Sequence, residues 1–231
     1  MCGRYTVSAN KEKLAKRFQV SIPEAYTPRY NAAPTQSLPV ITNVQPDTLS
    51  FFHWGLIPAW AKNKSISQKL INARAETLDE KASFKQALRQ RRCLVPADGF
   101  YEWKQLGKKT KTPYRFALAS GEPFAFAGLW EAFEEDGNNN ATFTIITTEP
   151  NEMVRDVHDR MPVILRKEDE ALWLGDSGEA EDLLKVLNTY PTGQMTRYTV
   201  SIRVNKVEND APDLIQAAPA SDQFGNYTLF N

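Results

Sequence analysis

The chain is poor in cysteine and histidine: its 231 residues hold two of each, Cys2, Cys93, His53 and His158. Two cysteines allow one disulfide at most, and a reducing compartment favours two free thiols. With no CxxC pair and no His/Cys cluster, a structural zinc site is not expected, and neither is a metal or other cofactor. No apolar run approaches the ~18 residues of a membrane span, so no membrane partner is expected. The amino terminus lacks a basic stretch followed by an apolar one, and Cys2 stands too early for a lipoprotein signal. A cytoplasmic protein is the expectation. Net charge is also lacking, since 28 Lys and Arg face 28 Asp and Glu.

What is present fits a packed protein. Hydrophobic residues make up 42% of the chain and charged residues 24%, which excludes general disorder. The length suits one large domain or two small ones. Zero net charge hides an asymmetry. Residues 1–120 carry 20 Lys and Arg against 8 Asp and Glu, and residues 121–231 carry the reverse. One reading is a basic face for a polyanion. The other is that folding mixes the halves and cancels the pattern.

Periodicity predicts many short strands with helices around them. Ser8, followed by Leu14, Ala15 and Phe18, reads as the cap of a first helix. Pro28, Pro34 and Pro39 predict a loop around Tyr30-Asn31-Ala32-Ala33-Pro34. Strands are expected at 38–43 and 48–55, with a loop from Gly55 to Lys64. An amphipathic helix is expected over 79–90 with Ala82, Phe84 and Leu88 inward. Cys93-Leu94-Val95 starts a strand that Pro96 interrupts. Further strands are expected at 99–104, 113–118, 124–131, 142–147, 161–165 and 196–202, and helices at 150–156, 168–174 and 179–188. Gly137-Asn138-Asn139-Asn140 reads as a turn. The pattern is that of an α+β protein, one domain over 1–231, with an antiparallel, barrel-like sheet core and peripheral helices.

Cys2 carries the most distinctive chemistry. Cysteine at position two is small enough for Met1 to be trimmed, which would place a free α-amine and a thiol on one carbon. An α-amine titrates near ~7.7–8.0, so a useful minority is nucleophilic at neutral pH. The amine can form an imine with an aldehyde, and the thiol can then close a five-membered thiazolidine. A cysteine inside a chain lacks that amine. The plainer alternative is a small buried residue whose thiol does nothing. Cys93 reads as such an inert strand thiol.

Four segments place polar residues where a core pattern would not: Cys2-Gly3-Arg4-Tyr5, Leu70 to Thr77 (LINARAET), Pro96 to Trp103 (PADGFYEW) and Val157 to Pro162 (VHDRMP). With Tyr30-Asn31-Ala32-Ala33-Pro34 and Trp54 to Trp60 (WGLIPAW), they resemble the SOS response-associated peptidase (SRAP) family, the abasic-site shields. The resemblance runs from the amino terminus to about Ile215, through Ala211-Pro212-Asp213-Leu214-Ile215. It implies binding of single-stranded DNA bearing an abasic site and covalent linkage through the amino-terminal cysteine. It implies Cys2 as nucleophile, Asn72, Glu102 and His158 around it, and Arg4 and Arg74 as phosphate-binding residues. A monomer, associated with the nucleoid when on damaged DNA, is the matching expectation.

The residue types suit that chemistry and also allow plainer roles. An abasic sugar is mostly a closed ring, and Glu102 suits the proton transfer that opens it. Glutamate on a strand more commonly faces water. Tyr101 and Trp103 should share one sheet face and leave Glu102 on the other. His158 suits proton shuttling, or else caps the preceding helix. Asn72 is either an orienting amide or a turn residue. Trp60 is the candidate for base stacking, whereas Trp54 and His53 read as structural. Pro34 is a wedge or a simple turn proline. Lys62, Lys64, Lys69, Arg89, Arg91 and Arg92 read as solvated basic surface.

Three functions stay open at this level. The first is covalent capture of abasic single strands, with some strand-cleaving lyase activity. The second is a thiol autopeptidase or amidohydrolase with an amino-terminal nucleophile. The third is a non-covalent single-strand binder using charge and stacking alone.

Overall fold

β-Branched and aromatic residues dominate the stretches between polar turns, and the computed structural model pairs them into two sheets. The structure describes residues 2–108, 110–135, 138–175 and 179–227. The first part of the chain forms β1 (Tyr5–Val7), α1 (Lys11–Phe18), β2 (Arg29–Ala32), β3 (Ser37–Thr42), β4 (Gln45–Trp54) and β5 (Asn72–Arg74). The middle forms α2 (Lys85–Gln90), β6 (Arg92–Ala97), β7 (Gly99–Gly107), β8 (Thr110–Leu118), β9 (Phe124–Glu135) and β10 (Asn138–Thr148). Then follow α3 (Glu152–Arg155), β11 (Met161–Pro162), α4 (Lys167–Leu174), α5 (Ala180–Lys185) and β12 (Met195–Thr199).

One sheet has the order β12-β8-β7-β1-β2. The other runs β11-β10-β4-β3-β6-β9, and β9 pairs back onto β10, so β10, β4, β3, β6 and β9 close into a barrel. The α+β class with a barrel-like sheet is therefore the observed one. Strand direction departs from the expectation in two places: β10 runs parallel to β4 and to β5. These partners are joined by long crossovers, so no hairpin turn in the sequence encodes their direction.

Alternate residues of the barrel strands face two cores. Val40, Val95, Phe126 and Ile145 join Tyr5, Phe100 and Phe116 of the five-stranded sheet in one cluster, which also holds Cys2. Ile41, Leu94, Ala127 and Ile146 lie in the other, with Leu88 of α2, Trp173 of α4 and Leu183 of α5. Each such side chain contributes roughly 1.5–3 kcal/mol through burial. In the first core the Tyr5 ring meets Trp54 edge-on at 5.3 Å, and Phe100 stacks on Phe116 at 5.0 Å.

Several local expectations are corrected. Asn10, not Ser8, caps α1: its side chain accepts the Lys13 N–H. Ser8 instead bonds Asp98 through both its backbone N–H and its hydroxyl. Residues 29–32 are a strand rather than a loop, because β1 offers them an edge. The helix expected over 79–90 is only α2, with Phe84, Ala87 and Leu88 buried and Ala82 exposed. Pro96 does not interrupt β6: β3 pairs with β6 only at Cys93 and Leu94, so by Pro96 that side is an edge, where proline is tolerated. His53, read as structural beside Trp54, is exposed. Of the expected turn, Gly137 lies outside the described residues and Asn138 to Asn140 belong to β10.

Folding mixes the two halves of the charge. Lys13–Glu122, Arg17–Glu170, Arg29–Asp210, Arg91–Glu131 and Lys104–Asp156 each join the basic half to the acidic half. Arg92, expected on the surface, is buried and donates to the carbonyls of Leu88, Arg89, Trp173 and Gly175, at the carboxyl ends of α2 and α4. Among the described residues, no helix is long and apolar enough to cross a membrane.

Candidate active site

The site is assembled where β1 meets β7. Tyr5 pairs with Phe100 and Thr6 with Gly99, and the Tyr101 N–H donates to the Arg4 carbonyl at 3.0 Å. Antiparallel pairing thus continues past β1 toward the amino end and brings Gly3 alongside Glu102. Asp98 fastens this arrangement. Its carboxylate accepts from the Thr6 and Ser8 hydroxyls, the Ser8 and Ala9 N–H groups and the Arg115 guanidinium. A Cβ at position 99 would lie 2.6 Å from that guanidinium, so a larger residue would have to push Arg115 away from Asp98. Cys2 itself is fully buried, with its thiol 3.8 Å from the Arg4 carbonyl. Burial pushes the thiol pKa well up, and the charge of Glu102 adds to the shift.

Glu102 faces this interior. Strand alternation puts Tyr101 on the opposite face, against Val200, Val204, Trp103 and Tyr198. Glu102 is 3% exposed. Burial pushes its carboxyl up to about 8, and the charge of Asp159 acts in the same direction. Its Oε2 lies 4.0 Å from His158 Nε2. That is too long for a direct hydrogen bond and suits one intervening hydroxyl or water.

His158 follows α3, and its backbone N–H, not its ring, serves the helix end by donating to the Val154 carbonyl at 2.8 Å. The ring is turned toward Glu102. Its Nδ1 accepts the Arg160 N–H at 3.0 Å and lies 2.9 Å from the Asp159 carboxylate. A single ring nitrogen satisfies these partners only one at a time: bare for Arg160, protonated for Asp159. Burial holds the imidazole below its ordinary pKa, which favours the neutral form that accepts from Arg160.

Asn72 opens β5, which lies parallel on β10 with Asn72 opposite Ile145. Its amide nitrogen donates to the Ile71 and Ile145 carbonyls at 3.0 and 3.4 Å. Two carbonyls at that end fix the amide orientation, and Oδ1 is buried with no hydrogen-bond partner among the described residues. Ile71 packs against the cluster that holds Cys2, and its carbonyl accepts from the Trp54 indole at 2.8 Å. Arg160 ties this segment to the His158 loop. It forks onto Glu76 at 2.7 and 2.8 Å and donates to the Thr147 carbonyl at 2.7 Å. The sequence displays Glu76 and Arg160 in two separate motifs but not their pairing across 84 positions.

The expected DNA contacts sit in contrasting settings. Arg4 is half-buried. It donates to Asn31 Oδ1 at 2.8 Å and to the Val204 and Asn205 carbonyls at 2.7 and 3.4 Å. Asn31 in turn donates to the carbonyls of Val204, Lys206 and Asn209, so the pair braces the chain that follows β12. Arg74 is exposed and in no ion pair among the described residues. Trp60 is 58% exposed and lines an open cavity of about 520 Å³ with Lys62, Ser65 and Lys69. Pro34 occupies the second position of a turn in which the Gln36 N–H donates to the Ala33 carbonyl. Thr35 there has φ of 72°, the left-handed third position of a type II turn and a strained one for a β-branched residue.

Comparisons with known proteins give the chain its family. The profile of the family described as SOS response associated peptidase (SRAP) matches residues 1–207. A Bacillus subtilis protein named "Abasic site processing protein YoqW" is 47% identical over 223 residues, covering 94% of this chain and all of that one. An Escherichia coli protein named "Abasic site processing protein YedK" is 32% identical, covering 94% of this chain and 99% of that one. A crystal structure of a Bacteroides thetaiotaomicron protein superposes with a TM-score of 0.83 at 29% identity, covering 94% of this chain and all of that one. The profile spans nearly every segment that builds the site, from Cys2 through Asn72 and Glu102 to His158, and the chain belongs to the SRAP family.

Proposed function

We propose that this protein captures abasic sites in single-stranded DNA by a covalent bond to its amino-terminal cysteine and so shields the strand from breakage. One observation supports this reading above the others. Glu102 is a buried carboxyl held near pH 8, close enough to Cys2 to act on its thiol and 4.0 Å from His158. Proton transfer near neutral pH is what opening a sugar hemiacetal requires.

The chemistry proceeds in balanced steps. Removal of Met1 frees the Cys2 amine. A base takes the proton from the C1′ hydroxyl while an acid protonates the ring oxygen, and the sugar opens to an aldehyde. Glu102 and His158 fill these two roles. The amine adds to the aldehyde carbon, and water leaves to give an imine. The thiol then adds to the imine carbon, its proton passes to nitrogen, and the thiazolidine closes. Asn72 offers its unpartnered Oδ1 to the amine or a sugar hydroxyl. Arg74 meets phosphate and Trp60 stacks on a base; Arg4 supports the site through Asn31. Pro34 stands at the edge of the bound strand. The protein acts as a monomer without a metal or other cofactor.

An imine also permits β-elimination, so strand-cleaving lyase activity competes until the thiol traps it. Peptidase activity is confined to the Met1–Cys2 bond. The deciding test is intact mass before and after mixing trimmed protein with a single-stranded oligonucleotide carrying one abasic site. A stable adduct, formed with loss of one water and absent for Cys2→Ala, is the expected result. Cys2→Ser should lose the stable adduct and cleave more strand. An adduct of equal stability with Cys2→Ser would exclude the thiazolidine. No adduct from trimmed wild-type protein would leave only passive binding or amide hydrolysis.

A further inference from the structure

His158 Nδ1 has two neighbours that demand opposite proton placements. The Arg160 N–H, 3.0 Å away, needs a bare nitrogen and so selects the Nε2–H tautomer. The Asp159 carboxylate, 2.9 Å away, needs a protonated nitrogen and so selects Nδ1–H. The two choices differ at the other side of the ring. With Nε2–H, the imidazole presents a donor toward Glu102; with Nδ1–H, it presents a lone pair there.

We infer that Asp159 is a positioning residue that makes the Nδ1–H tautomer of His158 available, so that Nε2 can take a proton as well as give one. Asp159 lies outside the reacting centre. Its side chain is 86% exposed, and it meets the imidazole directly while its charge also helps to raise the Glu102 carboxyl. The inference draws its purpose from the crosslinking reading, in which opening the sugar and losing water from the amine adduct require proton movement in both directions. A histidine fixed as Nε2–H could serve only the donating half. The Arg160 N–H remains at hand for the return, because Arg160 is held in place by Glu76 and the Thr147 carbonyl. The seat therefore has two positions around one nitrogen, with a rigid side and a solvated side.

The test reads the imidazole nitrogens directly. The chain has only two histidines, so a long-range ¹H–¹⁵N spectrum of the full-length trimmed protein shows four ring nitrogens, and His53→Gln assigns them. Above the imidazole pKa, Asp159→Ala should move the His158 pattern toward pure Nε2–H. Asp159→Asn, whose amide oxygen still accepts, should lie between that variant and wild type. Identical His158 nitrogen shifts in wild type and Asp159→Ala would overturn the inference.

A second measurement follows single-turnover crosslinking to the abasic oligonucleotide. Asp159→Ala should slow the rate at saturating DNA by about tenfold or more, with half-saturation unchanged. An unchanged rate beside a changed tautomer would keep the assignment of Asp159 and remove His158 from the proton transfer. Absence of any wild-type adduct would overturn the crosslinking reading and leave the nitrogen spectrum to decide the role of Asp159.

Discussion

Glu102 joins the proposed proton transfer and the stability of the fold in one side chain. In the unfolded chain its carboxyl titrates near ~4.3, whereas in the folded protein burial holds it at about 8. Below the lower value both states are protonated and no stability is lost. Between the two, the folded state binds more protons than the unfolded state, so stability falls as pH rises. Above about 8 the loss is complete and is on the order of 5 kcal/mol. Glu102→Gln should therefore unfold at a higher temperature than wild type near pH ~8 and at a similar one near pH ~4. Its crosslinking should slow by roughly 10²–10⁴-fold. Melting curves at the two pH values, beside single-turnover rates, check both halves; equal melting temperatures at the higher pH would mean that Glu102 is not held protonated. The placement of this residue was legible from the alternation of Tyr101, Glu102 and Trp103. Its burial was not, because solvent exclusion at Glu102 comes from partners such as Cys2 and His158, distant in the chain.

At the scale of elements, the site depends on how β1 is fastened to β7. The Asp98 and Arg115 side chains are 10% and 8% exposed and pair at 3.1 Å. Asp98→Ala would leave Arg115 buried without its partner and strip acceptors from Thr6, Ser8 and Ala9. A loss of about 3–5 kcal/mol in urea unfolding is expected. A loss below about 1 kcal/mol would show that water replaces the carboxylate freely. The same cluster explains an element misread from sequence. Ser8 has the side chain of a helix cap, but Asp98 claims it from 90 positions away, and Asn10 takes the cap. The longer strands were legible because β-branched and aromatic residues recur in them between polar turns. The short helix α2 was overextended because Ala82 fits the helical period without meeting a core.

For the whole molecule, electrostatics separates the proposed strand binding from the proposed proton transfer. Ion pairs between the halves consume much of the basic excess, while Lys62, Lys69 and Arg74 remain exposed outside such pairs among the described residues. Binding to intact single strands should weaken with salt. Arg74→Ala should reduce the slope of log affinity against log salt by about 0.7, the share of one phosphate on a single strand. Trp60→Ala should weaken binding by roughly 1–3 kcal/mol with little change in slope. Fluorescence anisotropy across a salt series measures both. An unchanged slope for Arg74→Ala would place the phosphate contact elsewhere.

The sequence by itself determined the motifs, their order, the alternation that sets Glu102 on the face opposite Tyr101 and Trp103, and the place of Cys2 beside the initiator methionine. Local periodicity and reactive-group identity are written in neighbouring residues, so they can be read there. Only the tertiary structure decided that β10 runs parallel to β4 and β5, that Arg4 braces Asn31, that Arg92 sits buried against two helix ends, and that Arg160 locks onto Glu76. Those outcomes depend on groups brought together across tens to hundreds of residues. Whether a charge meets solvent, a carbonyl or an opposite charge is settled only when the chain has closed around it.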